Sequence, residues 1–131
     1  MKQILIVDDE PHMLRVLKLY LERAGYSVET CGNGAEALKL IAANVPDAVV
    51  TDIQMPVMTG QEFCLALEAS MPQREFPVFV MTSMTNSEHR TWTQKINKLE
   101  FLEKPLSMRG MLRALEGYLG HTVAQPGNQI A

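Results

Sequence analysis

Five side chains in this sequence are of types that do chemistry and sit where chemistry is done: Asp8, Asp9, Asp52, Thr82 and Lys104. Asp8 and Asp9 follow the apolar run Ile4–Val7, Asp52 follows Ala48–Thr51, Thr82 follows Val78–Met81, and Lys104 follows Leu99–Leu102. Three clustered carboxylates repel one another and raise their own pKa values unless a positive charge sits among them. A hard divalent cation with oxygen ligands answers that need. Mg²⁺ fits best, because it takes one or two carboxylates and leaves room for phosphate oxygens. An ammonium such as Lys104 supplies a compact mobile charge for a phosphoryl group. Cation, ammonium, hydroxyl and a carboxylate with a free oxygen together point to phosphoryl transfer onto a carboxylate, with Asp52 as the reactive residue.

Each residue alone has a plainer use. Asp8-Asp9 after a strand reads as a turn with a helix N-cap, and Asp9 is the expected cap of the helix that holds Pro11 in its first turn. Asp52 and Thr82 serve equally as turn residues after strands, and Lys104 as a solvated surface charge. These readings require independent coincidences at one place, which weighs against them jointly.

The elements that would bring the five together alternate along the chain. Ile4–Val7 is an apolar run of the kind that forms a strand covered on both faces. Leu14, Leu17, Leu21 and Ala24 then recur on one helical face, and Gly25 ends it. Tyr26–Cys31 is a second strand. Asn33-x-x-Glu36 caps a second helix through Ala37, Leu38 and Ile41, which Val45-Pro46 breaks. After the third strand, Pro56 prevents further extension, and Thr59-x-x-Glu62 caps a helix through Phe63 and Leu67. Val78–Met81 is the fourth strand. Thr85-x-x-Glu88 opens a fourth helix with only Trp92 and Ile96 as core residues. Leu99–Leu102 is the fifth strand, and Ser107 caps a last helix with the stripe Met108, Leu112, Leu115 and Leu119. Five β-α units imply an α/β parallel sheet with helices on both faces and right-handed crossovers. In such a sheet the strand ends share one edge, where ligands and chemistry collect.

Composition narrows the alternatives. A chain of 131 residues suits one domain, expected over 1–120, with 121–131 as a tail or the start of a linker. The net charge of −3 supplies no basic excess for nucleic acid. No apolar run reaches the ~18 residues that span a bilayer, and the first residues enter a strand pattern, so a cytoplasmic location is expected. Cys31 and Cys64 read as small buried hydrophobes, and His12 and His89 as surface residues.

In its motifs the chain resembles the receiver domain of two-component response regulators. The matching stretches are Val7-Asp8-Asp9-Glu10, Asp52-x-x-Met55-Pro56-x-Met58-x-Gly60, Met81-Thr82-Ser83 and Phe101-Leu102-x-Lys104-Pro105. The resemblance implies a flavodoxin-like doubly wound (βα)5 fold with strand order 2-1-3-4-5. It implies Asp52 as phospho-acceptor from the phosphohistidine of a histidine kinase or phosphotransfer protein. Mg²⁺ would be held by Asp9, Asp52 and the Gln54 carbonyl, with Asp8 acting through water. Lys104, preceding a cis Pro105, and Thr82 would bind the phosphoryl group, with Phe101 as an aromatic switch and a small Ser83 leaving the acceptor open. Such a domain catalyses its own phosphorylation and dephosphorylation, but is first a signalling switch. The face of the fourth helix, fifth strand and last helix would meet a downstream effector or a second copy. Family members carry Gly-Ala at the end of the fourth helix; here Asn97-Lys98 replaces it. Asn97 is expected as the left-handed C-cap, and a fourth helix with few apolar anchors is expected to be locally weak.

Three rivals share parts of this pattern. A pseudo-receiver would not need all five polar residues. A nucleotide or flavin binder would want an anion-binding loop where Asp8-Asp9-Glu10 stands. An aspartate-based phosphohydrolase would want a second Asp at the position of Gln54.

Overall fold

A computed structural model describes residues 1–82, 92–94 and 96–120 of the chain. Its strands are β1 (Gln3–Val7), β2 (Ser27–Cys31), β3 (Ala48–Asp52), β4 (Val78–Thr82) and β5 (Leu99–Glu103). The described helices are α1 (Pro11–Arg23), α2 (Gly34–Ala43), α3 (Gly60–Ser70) and a last helix, Met108–Leu119. All strands are parallel and lie in the order β2-β1-β3-β4-β5. This is the expected doubly wound architecture.

Strand alternation divides the core. Leu5, Val7, Val49, Val78 and Val80 face α2 and α3, where Ala37, Ile41, Phe63 and Leu67 pack on them. Ile4, Ile6, Ala48, Val50, Phe79 and Met81 face the other way, against Leu17 and Leu21 of α1 and Met111 and Leu115 of the last helix. Both faces of β3 and β4 are buried throughout, which is why those strands read as unbroken apolar runs. No described helix is long and apolar enough to cross a membrane.

The caps follow the sequence at three helices. Asn33 accepts the Glu36 N–H, Thr59 and Glu62 form a complete capping box, and Ser107 accepts the Gly110 N–H. The first helix differs. Its N-cap is Glu10, which makes no side-chain cap bond, and Asp9 is not the cap. Proline at the start removes one N–H that a cap would serve, and Asp8 accepts the Glu10 N–H at 3.0 Å. Asp9 is thereby left at the exposed rim.

In the last helix Leu115 is buried and Met108, Leu112 and Leu119 pack partly buried against the same cluster, as the stripe predicts, while Met111 joins Leu115 as a second fully buried residue. Just before β5 the structure departs from expectation: the left-handed residue is Lys98, with φ +53°, rather than Asn97. Asn97 is committed on both sides: its N–H donates to Glu68 Oε1 at 3.2 Å and its carbonyl accepts from Arg74 Nη2. The reversal therefore falls one residue later, where Lys98 stays exposed and donates to the Glu75 carbonyl. Most of the expected fourth helix, its cap at Thr85, Ser83, His89 and the 121–131 tail lie outside the described residues. Trp92 and Ile96 are described and are buried, 7% and 8% exposed.

Candidate functional site at the carboxyl edge of the sheet

β1 and β3 are neighbours in the centre of the sheet, so the residues after them are brought side by side. Asp8, Asp9 and Asp52 each offer a carboxylate oxygen within 4.8 Å of the others. Asp8 and Asp52 are buried, while Asp9 is exposed. Lys104 arrives from β5, two strands away, and its long stem carries Nζ to 3.1 Å from Asp52 Oδ1. The same Oδ1 accepts the Ile53 N–H at 2.8 Å. The Lys104-Pro105 peptide bond is cis.

Burial pushes the Asp8 carboxyl up from 3.8 to about 6, and the charges of Asp52 and Asp9 add to the rise. The Glu10 N–H and the Lys104 ammonium act against it without cancelling it. A carboxylate so placed gains from any cation that enters. Two buried carboxylates beside an exposed one, at an open edge, fit a hard divalent ion that keeps some of its waters. The edge opens into a cavity of about 480 Å³ lined by the three aspartates, Glu10, Pro11, Met13, Lys104, Pro105 and Leu106. Met13 and Leu106 were not singled out from sequence. An apolar residue on the first turn of a helix or after a proline carries no signal that distinguishes a rim from a core position.

Gly60 holds the loop that follows Asp52. Its N–H donates to the Ile53 carbonyl at 2.8 Å, and a Cβ there would stand 2.4 Å from the Asp52 carbonyl oxygen. Glycine is required because helix α3 begins directly against the backbone at the end of β3. Between them, Met55 is buried and Met58 is partly buried against α2 and α3. Val57 is lifted outward, 82% exposed, with φ +69° and a Met58 N–H to Pro56 carbonyl bond of 2.7 Å.

Thr82 closes β4 beside this cluster. It is 2% exposed, and its carbonyl accepts the Lys104 N–H at 2.9 Å. Gln54 lies in the loop after Asp52 and is exposed. Phe101 does not line the acidic cavity. It pairs with Val80 in register, is 39% exposed, and meets Trp92 edge to face at 6.2 Å between ring centroids. Cys31 and Cys64 are buried free thiols, as their sequence setting suggests.

Comparison with known proteins agrees with this geometry. A model of the response regulator receiver domain matches residues 4–116. The chain is 34% identical over 125 residues to Response regulator MprA of Mycobacterium sp. (strain KMS), covering 95% of this chain and 54% of that protein. It is 30% identical over 130 residues to the alkaline phosphatase synthesis transcriptional regulatory protein PhoP of Bacillus subtilis (strain 168), covering 98% of this chain and 53% of PhoP. The chain thus spans about half the length of the curated relatives it matches. Chemotaxis protein CheY4 of Vibrio cholerae superposes with TM-score 0.82 at 30% identity, over 90% of this chain and 98% of that one. Response regulator TrrA of Thermotoga maritima, solved in complex with Mg²⁺-BeF, gives TM-score 0.78 at 27% identity, over 90% and 99%. With the family model covering all five strands and the sheet order matching, this chain belongs to the response regulator receiver domains of two-component systems.

Proposed function

We propose that Asp52 accepts a phosphoryl group from the phosphohistidine of a histidine kinase or a phosphotransfer protein. The observation that carries this reading is the Asp52 carboxylate itself. It ends the central strand, Oδ1 is held by Lys104 and the Ile53 N–H, and the group opens into the acidic cavity. With Oδ1 so engaged, Oδ2 is the oxygen left to form the new bond. A P–O bond forms to Asp52 as the P–N bond to the donor imidazole breaks, and the imidazole takes the electron pair. Lys104, already at the Asp52 carboxylate, stays to neutralise charge on the transferred group. Thr82, one strand away at the same edge, supplies a hydroxyl to it.

Mg²⁺ would be held by Asp9, Asp52 and the Gln54 carbonyl, with Asp8 acting through water. When bound it neutralises the carboxylates and the developing phosphoryl charge. The arriving dianion biases a two-state equilibrium in which Thr82 and Phe101 shift and the face containing β5 and the last helix changes its partner. That partner is a downstream effector, in the same protein or another, or a second copy of this domain.

The test is intact mass after incubation with acetyl phosphate, with and without Mg²⁺, for the wild type and Asp52→Asn. A Mg²⁺-dependent gain of one phosphoryl group, absent in Asp52→Asn, is expected. No gain under any condition leaves a pseudo-receiver. Mg²⁺ with beryllofluoride, the pair held by TrrA, serves as a non-hydrolysed probe of the same site.

A further inference from the structure

The ring of Phe101 meets Trp92, which lies upstream of a turn held from α3. Asn97 is pinned at both of its backbone groups. Its N–H donates to Glu68 Oε1, its carbonyl accepts from Arg74 Nη2, and Arg74 Nη1 closes the triangle on the same Glu68 oxygen at 2.7 Å. The Arg74 side chain is fully buried, and its guanidinium lies 5.8 Å from the centre of the Phe76 ring. This ties the end of α3, the loop before β4 and the turn before β5 into one unit. Ile96 and Trp92 sit directly upstream of that turn, both buried in the core beneath α2 and α3.

Phe101 differs in kind. It stands on the edge strand, is more than a third exposed, and meets Trp92 at an interplanar angle of 86°. An anchored ring facing a half-exposed one at an edge is a contact that one partner can leave without opening the core. Such a pair adds attraction beyond the area it buries.

We propose that the Trp92–Phe101 contact is an inhibitory latch. It exists in the resting conformation, is broken in the phosphorylated one, and lowers the fraction of molecules ready for the phosphoryl group. Arg74 and Glu68 fix the turn at Asn97 that follows Trp92 in the chain. The inference rests on the switching role proposed above for Phe101. A contact made in only one of two states shifts their ratio by its own strength, and apparent affinity for a ligand of the other state follows that ratio.

The experiment measures beryllofluoride affinity at saturating Mg²⁺ by calorimetry for wild type, Trp92→Leu, Phe101→Leu and the double variant. Removing the Trp92 ring should tighten apparent binding by roughly two- to tenfold, the scale of one aromatic pair. In the Phe101→Leu background the same change should have no further effect. Unchanged or weaker binding in Trp92→Leu, or an undiminished effect in the double variant, overturns the latch. A wild type that binds no beryllofluoride overturns the phosphoryl reading instead, so the two failures are separable. If Trp92→Leu does not fold, the wild type still decides. Trp92 is the single tryptophan, so its emission should change on adding beryllofluoride with Mg²⁺ and stay constant in Phe101→Leu. A constant wild-type emission, despite binding, overturns the latch.

Discussion

Lys104 Nζ and Asp52 Oδ1 lie 3.1 Å apart although 52 residues separate them in the chain. The pair spans β3 to β5 across the end of β4, and it sets the charge balance of the whole edge. The Lys104 ammonium also acts against the upward shift of Asp8. Lys104→Met should therefore push Asp8 higher still, observable by carbon-13 NMR of the carboxyl. It should also slow acetyl phosphate phosphorylation by about a hundredfold, the usual scale for losing one preorganised charge partner.

Asp8 carries a pH signature of its own. Its folded-state value of about 6 stands above 3.8, so between those values the folded chain binds more protons than the unfolded one. Stability then falls as pH rises from about 4 to about 6 and stays reduced above that. Asp8→Asn removes the cost and should stabilise the Mg²⁺-free domain at pH 7.5 by about 2 kcal/mol, while weakening its Mg²⁺ response. Thermal melts across pH 4–8, with and without Mg²⁺, read both. A wild-type stability that rises steeply from pH 4 to 6, unchanged in slope in Asp8→Asn, contradicts the assignment.

Gly60→Ala places a methyl group against the Asp52 carbonyl and the Ile53 Cα, both backbone atoms. Neither can move without displacing the Asp52 carboxylate. A loss of about 3 kcal/mol is expected from overpacking against rigid neighbours, measured by urea denaturation, with phosphorylation slowed in the fraction that folds.

Arg74→Met removes a buried guanidinium whose Glu68 partner is only partly exposed. Losing one member of such a pair strands the other and frees the Asn97 carbonyl, at a cost of about 2–3 kcal/mol. Hydrogen exchange should quicken first at residues 96–100, before any change in β1 or β3.

Val57 presents the opposite case. A β-branched residue at φ +69° in a turn closed by the Met58 N–H is strained by about 1–3 kcal/mol. Its side chain is 82% exposed, so little packing offsets that cost. Val57→Asn should raise stability by about 1 kcal/mol without altering acetyl phosphate phosphorylation, and equal melting temperatures would count against strain at this turn.

The layout of the fold was legible from local pattern. Apolar runs covered on both faces, helices capped at Asn33, Thr59 and Ser107, and strict β-α alternation are properties of neighbouring residues, and they leave few topologies open. That Asp8, Asp9, Asp52 and Lys104 end strands could likewise be read directly, and parallel pairing then places them at one edge. What was not legible depends on contacts between distant segments. Local cap preference points to Asp9; Asp8 takes the Glu10 N–H instead, and α1 begins at Pro11 behind an N-cap, Glu10, that makes no side-chain bond. Propensity points to Asn97 as the left-handed residue; two partners from α3 and the following loop hold its backbone, so the turn falls at Lys98. Arg74 looks like a loop charge in the sequence, and only the packing of Phe76, Glu68 and Asn97 around it makes it a buried anchor. The sequence alone determined the elements and the residue types at the carboxyl edge of the sheet, because periodicity and capping are encoded within a few residues. Tertiary structure decided which side chains meet, how far Asp8 is shifted and what Phe101 leans on, because burial and electrostatic neighbours are set by segments far apart in the chain.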